Sequence, residues 1–396
     1  MIEGHTLVVP TYNRTELLGR LVRHYCSSSP GMRILVLDSS RADVMERNKT
    51  ALAQCGGSVS HLAFPDTTPF ALKLAQGLES VETPYASFCA DDDLVFLPGL
   101  RSAIDYLANH ADYVCAHGLY LNFQTSGHDV MLMREYAGPG NDAEHPGARI
   151  FRLCQRYESL FYAAFRTPDL RTITRAVALM PTLHYQELLQ SVAALILGKV
   201  ARVPLIYGAR QSCPPAQPER DKWQTYYWYA DDPAEFLAHY RDYRDAVWTF
   251  FAEHCRGVSL TRTAFDRTMD LAHTVYFSAG CPPEYFYSKL QEYFPQDSFN
   301  KPARDDLLAQ LRPVDPAPTQ RKVMGAWLRW QRARLARLRA SRRSEAASAL
   351  QALDARVASE SRTPWHCKLP AGLAWLPQSE AFQASYVELC RYLDAA

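Results

Sequence analysis

Apolar and polar positions follow two periods through the first half of the chain. Short β-rich apolar runs stand at Thr6-Leu7-Val8-Val9, Arg33-Ile34-Leu35-Val36-Leu37, Val59-Ser60-His61-Leu62-Ala63-Phe64 and Tyr85-Ala86-Ser87-Phe88. Between them apolar residues recur at helical spacing: Leu17, Leu18, Leu21, Val22 and Tyr25 first, then a stretch ending near Leu52, then Phe70 to Leu78. Thr15 reads as the N-cap of the first helix, with Glu16 in its first turn. This alternation of strand and helix predicts an α/β fold, a mostly parallel sheet sandwiched by helices. Sheets of that kind bind ligands beyond the carboxyl ends of their strands. Three polar clusters stand at such ends: Pro10-Thr11-Tyr12, Asp38-Ser39-Ser40 and Asp91-Asp92-Asp93.

The acidic triplet follows an apolar strand and precedes Leu94-Val95-Phe96-Leu97-Pro98-Gly99, so it is not a solvated acidic run. Adjacent carboxylates near a core repel one another unless a cation compensates. Hard oxygen ligands on one turn suit Mg²⁺ or Mn²⁺ shared with a phosphate-bearing substrate. The plainer use is an acidic turn capping the helix that starts near Pro98. No Gly-x-Gly-x-x-Gly follows the first strand and no Gly-x-x-x-x-Gly-Lys occurs, so the glycine-cradled dinucleotide and P-loop readings lose their main support.

Beyond the triplet the pattern predicts a helix over Leu100 to Leu107 and a strand from Tyr113 that runs on, or turns back, through Phe123. Gly127 to Gly147 reads as a mobile polar loop, and His117, His128 and His145 near it have no metal-ligand spacing. After Cys213 come a proline-marked stretch and the aromatic run Trp223 to Tyr229, whose rings suit sugar stacking or, more commonly, packing between helices. Phe236, Tyr240, Tyr243, Val247 and Phe250 then recur at helical spacing. The organisation expected is a ligand-binding catalytic domain over 1–212, a helical accessory region over 213–300, a proline-rich linker over 301–320, and a basic amphipathic helix with a helical tail over 321–396. Seven arginines lie between Arg329 and Arg343. A basic helix over 323–343 fits a peripheral membrane or protein contact, and equally fits docking on the body.

Composition narrows this picture little. The 396 residues carry a formal charge of +1, which gives no field for nucleic acid. Ten cysteines without a Cys-x-x-Cys pair fit a reducing, cytoplasmic setting better than a zinc site or a disulfide frame. The most apolar stretch, Val192 to Ile206, is broken by Lys199, Arg202 and Pro204, too charged to span a bilayer.

Taken together, Val8-Val9-Pro10-Thr11-Tyr12-Asn13-Arg14, Val36-Leu37-Asp38-Ser39-Ser40, and Phe88 to Asp93 with Pro98-Gly99-Leu100 resemble a family-2-type glycosyltransferase with the GT-A fold, over about residues 4–211. The resemblance implies a nucleotide-diphosphate sugar donor, a Mn²⁺ or Mg²⁺ cofactor and an inverting single displacement. It implies that Pro10, Thr11 and Tyr12 lie along the base, that Arg14 sits near the base or diphosphate, and that Asp38 hydrogen-bonds a pyrimidine, usually uracil. It places Asp91 at ribose or sugar and Asp93 at the metal, with Asp92 beside them and suited to a capping role. Lys73 stands where many members have Arg-Asn, and Ala90 replaces an expected acid; both loosen the donor assignment. Gln186-Glu187 keeps one of the family's two acids, so Glu187 is the candidate base that deprotonates the acceptor hydroxyl; the plainer reading is a first-turn acid favoured by the helix dipole. Arg210, with Gln211 beside it, matches a position that meets the diphosphate. The acceptor — glycan, lipid carrier, protein or small molecule — is not legible. The alternatives carried forward are a non-catalytic nucleotide-sugar-binding or scaffold protein on a transferase fold and, more distantly, a nucleotidyltransferase.

Overall fold

The computed structural model describes residues 2–53, 58–136, 140–212, 232–279, 345–370 and 373–395, together with single residues 55, 138, 228, 292 and 295. The proline-rich stretch over 301–320, the basic segment over 323–343 and the aromatic run apart from Trp228 lie outside the described residues.

The anticipated strands form as β1 (His5–Thr11), β2 (Arg33–Asp38), β3 (Val59–Ala63) and β4 (Tyr85–Phe88), all parallel in the spatial order β4-β1-β2-β3. Their apolar residues alternate between two cores, as the period of two in a strand requires. Leu7, Val9, Ile34 and Val36 face one core, while Val8, Leu35 and Leu37 face the other. The first core is covered by α1 (Thr15–Ser28), α2 (Ala42–Ala53) and α4 (Leu97–Asn109). The second is covered by α3 (Phe70–Leu78), α5 (Pro146–Gln155), α6 (Thr167–Val177) and α7 (Leu183–Leu197).

Past β4 the sheet becomes mixed. β5 (Leu94–Val95) pairs antiparallel with β9 (Lys199–Gln211), which runs parallel to the long β6 (Tyr113–Ser126). β8 (Ala164–Arg166) is antiparallel to both β4 and β6 and so joins the two halves. α4 lies directly on β9, and Gly99 permits this: a Cβ there would meet the carbonyl oxygen of Ile206 at 2.5 Å.

Two local expectations are corrected. Thr15 is not the N-cap of α1; Arg14 takes that place, without a side-chain capping bond, because Asn13 turns the chain through a left-handed conformation at φ 58°. The stretch from Gly127 to Gly147 is not one loop. It carries β7 (Asp129–Tyr136), a hairpin partner of β6, and the start of α5. Val130 and Leu132 are buried and Met133 is exposed, an alternation that the flanking Gly, Pro and His mask in the sequence.

The C-terminal residues return to this body. β10 (His366–Lys368) pairs parallel with β7, and the C-terminal helix Glu380–Asp394 packs Phe382, Tyr386, Leu389 and Leu393, the apolar positions expected from spacing, into the first core. The helix Pro233–His254 covers the second core with Phe236, Tyr240, Tyr243, Val247 and Phe250, and the helix Arg262–Ala279 adds Phe265, Met269 and Ala272. Trp228 packs there as well, against Tyr185 and Phe236, which is the plainer of its two expected uses. Among the described residues no helix is long and apolar enough to cross a membrane.

Candidate functional site

The carboxyl ends of β1, β2 and β4 meet at one edge, and their loops are tied together. Asn13 N–H donates to Ser40 Oγ at 2.8 Å, and Asn13 Oδ1 accepts from Arg41 N–H at 3.0 Å. Lys73, reaching over from α3, donates to the Thr11 carbonyl at 2.9 Å and to Ser39 Oγ at 2.8 Å. Its side chain is buried, which lowers its pKa to about 8 although Asp38 and Asp91 pull the other way. Lys73 therefore acts in this structure as a brace between two loops, rather than as the solvated lysine that a helical position usually holds.

Asp38 is also turned inward. One carboxylate oxygen accepts from Ser40 N–H at 2.8 Å; the other accepts from Asn48 Nδ2 at 2.8 Å and meets His61 Nε2 at 3.1 Å. Burial alone pushes this carboxyl up, but the hydrogen bonds from His61, Ser40 and Asn48 outweigh it and hold the pKa near 2, lowered to about 2 from the ordinary value. With no side-chain exposure, Asp38 shapes the β2 end from beneath.

The triplet is built differently. Thr11 Oγ1 donates to Asp91 at 2.7 Å, and Arg14 Nη1 spans Asp91 at 3.3 Å and Asp92 at 2.7 Å. Asp93 accepts from the Gln211 backbone N–H at 2.8 Å and, on its other oxygen, from the Tyr162 hydroxyl. Arg210 Nε lies 3.9 Å from that second oxygen, and its guanidinium stands 5.3 Å from the centroid of the Tyr162 ring. Behind the triplet, Tyr25 Oη donates to Val95 O at 2.7 Å and accepts from Val95 N–H at 2.9 Å, pinning β5 to α1.

Three carboxylates thus face the guanidiniums of Arg14 and Arg210. Burial and the neighbouring Asp92 push Asp91 up to about 6, against the pull of Thr11 and Arg14. Burial and Asp92 push Asp93 up to about 7, against Arg210, Tyr162 and the Gln211 N–H. Burial is the larger cause of both shifts, and among the described residues three adjacent carboxylates face two guanidiniums. Among the described residues no group of three His, Cys, Asp or Glu side chains could hold a metal ion by itself. The donor set fits a hard divalent cation that takes a carboxylate oxygen or two from the protein and the rest from a phosphate-bearing ligand.

Beside the triplet lies a cavity of about 270 Å³. Pro10 and Ala90 form its strand-end wall, Phe70 and Phe161 part of its apolar wall, and Glu187, Tyr162 and Arg210 its polar side. Glu187 stands in the second turn of α7, not the first, so the helix N-terminus does not account for it. Its neighbour Gln186 is tied by its amide to the Met180 carbonyl at 2.8 Å, and Glu187 is the carboxylate among the residues lining this cavity. The fold thus gathers Pro10, Thr11, Arg14, Asp91, Asp92, Asp93, Glu187 and Arg210 around one edge. Tyr12 follows β1 there, half-buried, while Asp38 and Lys73 brace the edge from inside. Tyr162 was not foreseen; it belongs to a turn before β8 without hydrophobic periodicity, and no motif marks it.

No protein-family model matches the chain, and no curated protein matches it. Several solved structures are similar in shape. A Staphylococcus aureus TarS fragment, residues 1–349 in complex with UDP-GlcNAc, is 12% identical with a TM-score of 0.46, over 69% of this chain and 72% of that one. The same fragment with UDP is 12% identical with a TM-score of 0.42, over 74% of this chain and 92% of that one. The mannosyltransferase PcManGT of Pyrobaculum calidifontis, in complex with GDP-Man and Mn²⁺, is 14% identical with a TM-score of 0.37, over 74% of this chain and 88% of that one.

Proposed function

We propose that this protein is a glycosyltransferase that moves a sugar from a nucleoside-diphosphate donor to an acceptor hydroxyl, with inversion. The observation that supports this most is the buried carboxylate triplet, faced by Arg14 and Arg210, beside a cavity whose wall holds Glu187. The diphosphate of the donor lies against Arg14 and Arg210, whose positive charges stabilise the charge that grows on it as the glycosidic bond breaks. The base rests along Pro10, Thr11 and Tyr12, on loops that Lys73 and Asp38 hold in place from below. Asp93, with Asp91 near it, would hold Mn²⁺ or Mg²⁺, which supplies further positive charge to the leaving diphosphate. Glu187 accepts the proton of the acceptor hydroxyl as that oxygen attacks the anomeric carbon, and Tyr162 fixes one oxygen of Asp93 through its hydroxyl.

The test is a panel of nucleotide sugars screened for thermal stabilisation with and without Mn²⁺, because a ligand that binds the folded state raises its unfolding midpoint by mass action. A Mn²⁺-dependent shift for one donor class, lost in Asp93→Asn, is the expected result. If no nucleotide sugar stabilises the protein, or Asp93→Asn leaves the shift intact, the proposal fails. Slow donor hydrolysis in the same mixtures separates an enzyme from a nucleotide-sugar-binding scaffold.

A further inference from the structure

Arg20 stands on the core-facing side of α1, 7% exposed, among the buried Leu18, Leu21 and Val22. Its Nη2 donates to the Gln211 side-chain Oε1 at 2.5 Å and to the Tyr392 hydroxyl at 2.7 Å. Its guanidinium also stacks on the Tyr392 ring, 4.3 Å from the centroid. Gln211 in turn gives its backbone N–H to Asp93 at 2.8 Å. A chain of contacts therefore runs from the C-terminal helix, through α1, to the last residue of β9 and onto the carboxylate read above as the cation ligand. Buried cations are costly, and replacing one with an apolar side chain of similar volume is often neutral or stabilising. Packing alone therefore does not call for an arginine here. A guanidinium does meet a directional need, because its rigid fork fixes the side chain whose backbone N–H orients Asp93.

We propose that Arg20 and Tyr392 are positioning residues that hold Asp93 in its ligating orientation through Gln211, so that docking of the C-terminal helix completes the donor site. This rests on the reading of Asp93 given above. The helix has a second hold beside the same strand: Glu388 accepts from Leu97 N–H, at the start of α4, at 3.3 Å. Arg23, by contrast, donates to the Ala395 carbonyl at 2.8 Å on the exposed side, which ties α1 to the end of the chain without reaching Gln211.

The test compares R20M, Y392F and Q211A with R23A in the full chain. Two quantities are read: hydrogen-exchange protection of the Gln211 amide without ligand, and Mn²⁺ affinity by calorimetry in the presence of a nucleoside diphosphate. R20M, Y392F and Q211A are expected to speed exchange of that amide. R20M and Q211A are expected to weaken Mn²⁺ roughly tenfold, the lower end of what loss of a partner behind a metal ligand costs. The R20M/Q211A double variant is expected to be no worse than either single, since both cut one chain of contacts. R23A is expected to leave both quantities unchanged. Y392F removes a single oxygen, so it keeps the test open if R20M folds poorly. Unchanged Gln211 exchange in R20M and Y392F overturns the proposal. So does an R23A effect equal to theirs and matched by a lowered unfolding midpoint, which would mark plain loss of helix docking. If exchange responds as expected but the unmodified protein binds no Mn²⁺ with any nucleotide, the positioning of Asp93 stands and the donor-site reading falls.

Discussion

Two acidic strand ends at the same edge of the sheet are built to opposite effect. At the end of β2, Asp38 is enclosed by Ser40, Asn48 and His61, and its pKa is lowered to about 2. At the end of β4, Asp91 and Asp93 are raised to about 6 and about 7 by burial and by Asp92. Both sites bury carboxylate, and the difference lies in how completely the protein answers the charge. Asp38 is answered by donors inside the protein, so it stabilises the ionised form and stiffens the loop. At the triplet, burial and the repulsion from Asp92 outweigh the donors, so the folded state favours a protonated carboxyl.

The largest break of this comparison comes from Glu187, the carboxylate of the cavity wall. Glu187→Gln keeps size and hydrogen bonding but cannot take a proton. Transfer to the acceptor is expected to fall by about 10²–10⁴, the usual worth of a general base. Donor binding measured by calorimetry should remain within a few-fold. A variant that transfers sugar at the original rate would remove Glu187 from the mechanism.

Asp93→Asn comes next. Transfer is expected to fall by roughly 10²–10³, in line with loss of one electrostatic stabiliser of the transition state. Chelation of divalent cations should produce the same loss in the unmodified protein and no further loss in the variant. Thermal stability of the variant should hold or rise, since a neutral amide avoids the cost of burying a charge there and the repulsion from Asp92. A strong fall in the unfolding midpoint would mean that the triplet is a structural turn, and the contrast with Asp38 would collapse.

Much of this edge was legible in the sequence, and the reason is its local character. The strands declared themselves through short apolar runs, and the polar clusters could be placed at strand ends before any contact was known. What stayed hidden was long-range. Tyr162 and Asp93 are 69 positions apart, and Arg20 and Gln211 are 191 apart. Neither pair has a periodic or motif signal, because the geometry that joins them is set by the order of strands in the sheet. The β8 strand that brings Tyr162 to the triplet is three residues long, Ala164–Arg166, too short to show a period of two. The inward turn of Asp38 was hidden for a similar reason: Asn48 on α2 and His61 on β3 supply its partners, and neither is conspicuous alone.

The smallest expected effect sharpens the Asp38 side of the comparison. A carboxyl whose folded pKa lies below its unfolded value binds fewer protons when folded, so its contribution is complete above the unfolded pKa of about 4 and is lost as pH falls toward 2. The lowering of Asp38 to about 2 corresponds to roughly 2 kcal/mol at neutral pH, at about 1.4 kcal/mol per unit. Asp38→Asn should therefore cost about 2 kcal/mol in denaturant unfolding at pH 7, with less cost at pH 3, where the wild-type contribution is already fading. Transfer activity at saturating donor should change much less than in Asp93→Asn, because Asp38 spends its carboxylate on Ser40, Asn48 and His61 and holds the loop from beneath. If Asp38→Asn instead leaves stability unchanged across pH and abolishes binding of one class of base, then Asp38 meets the base directly. The two strand ends would then both be ligand sites, and the division between scaffold and site would be wrong.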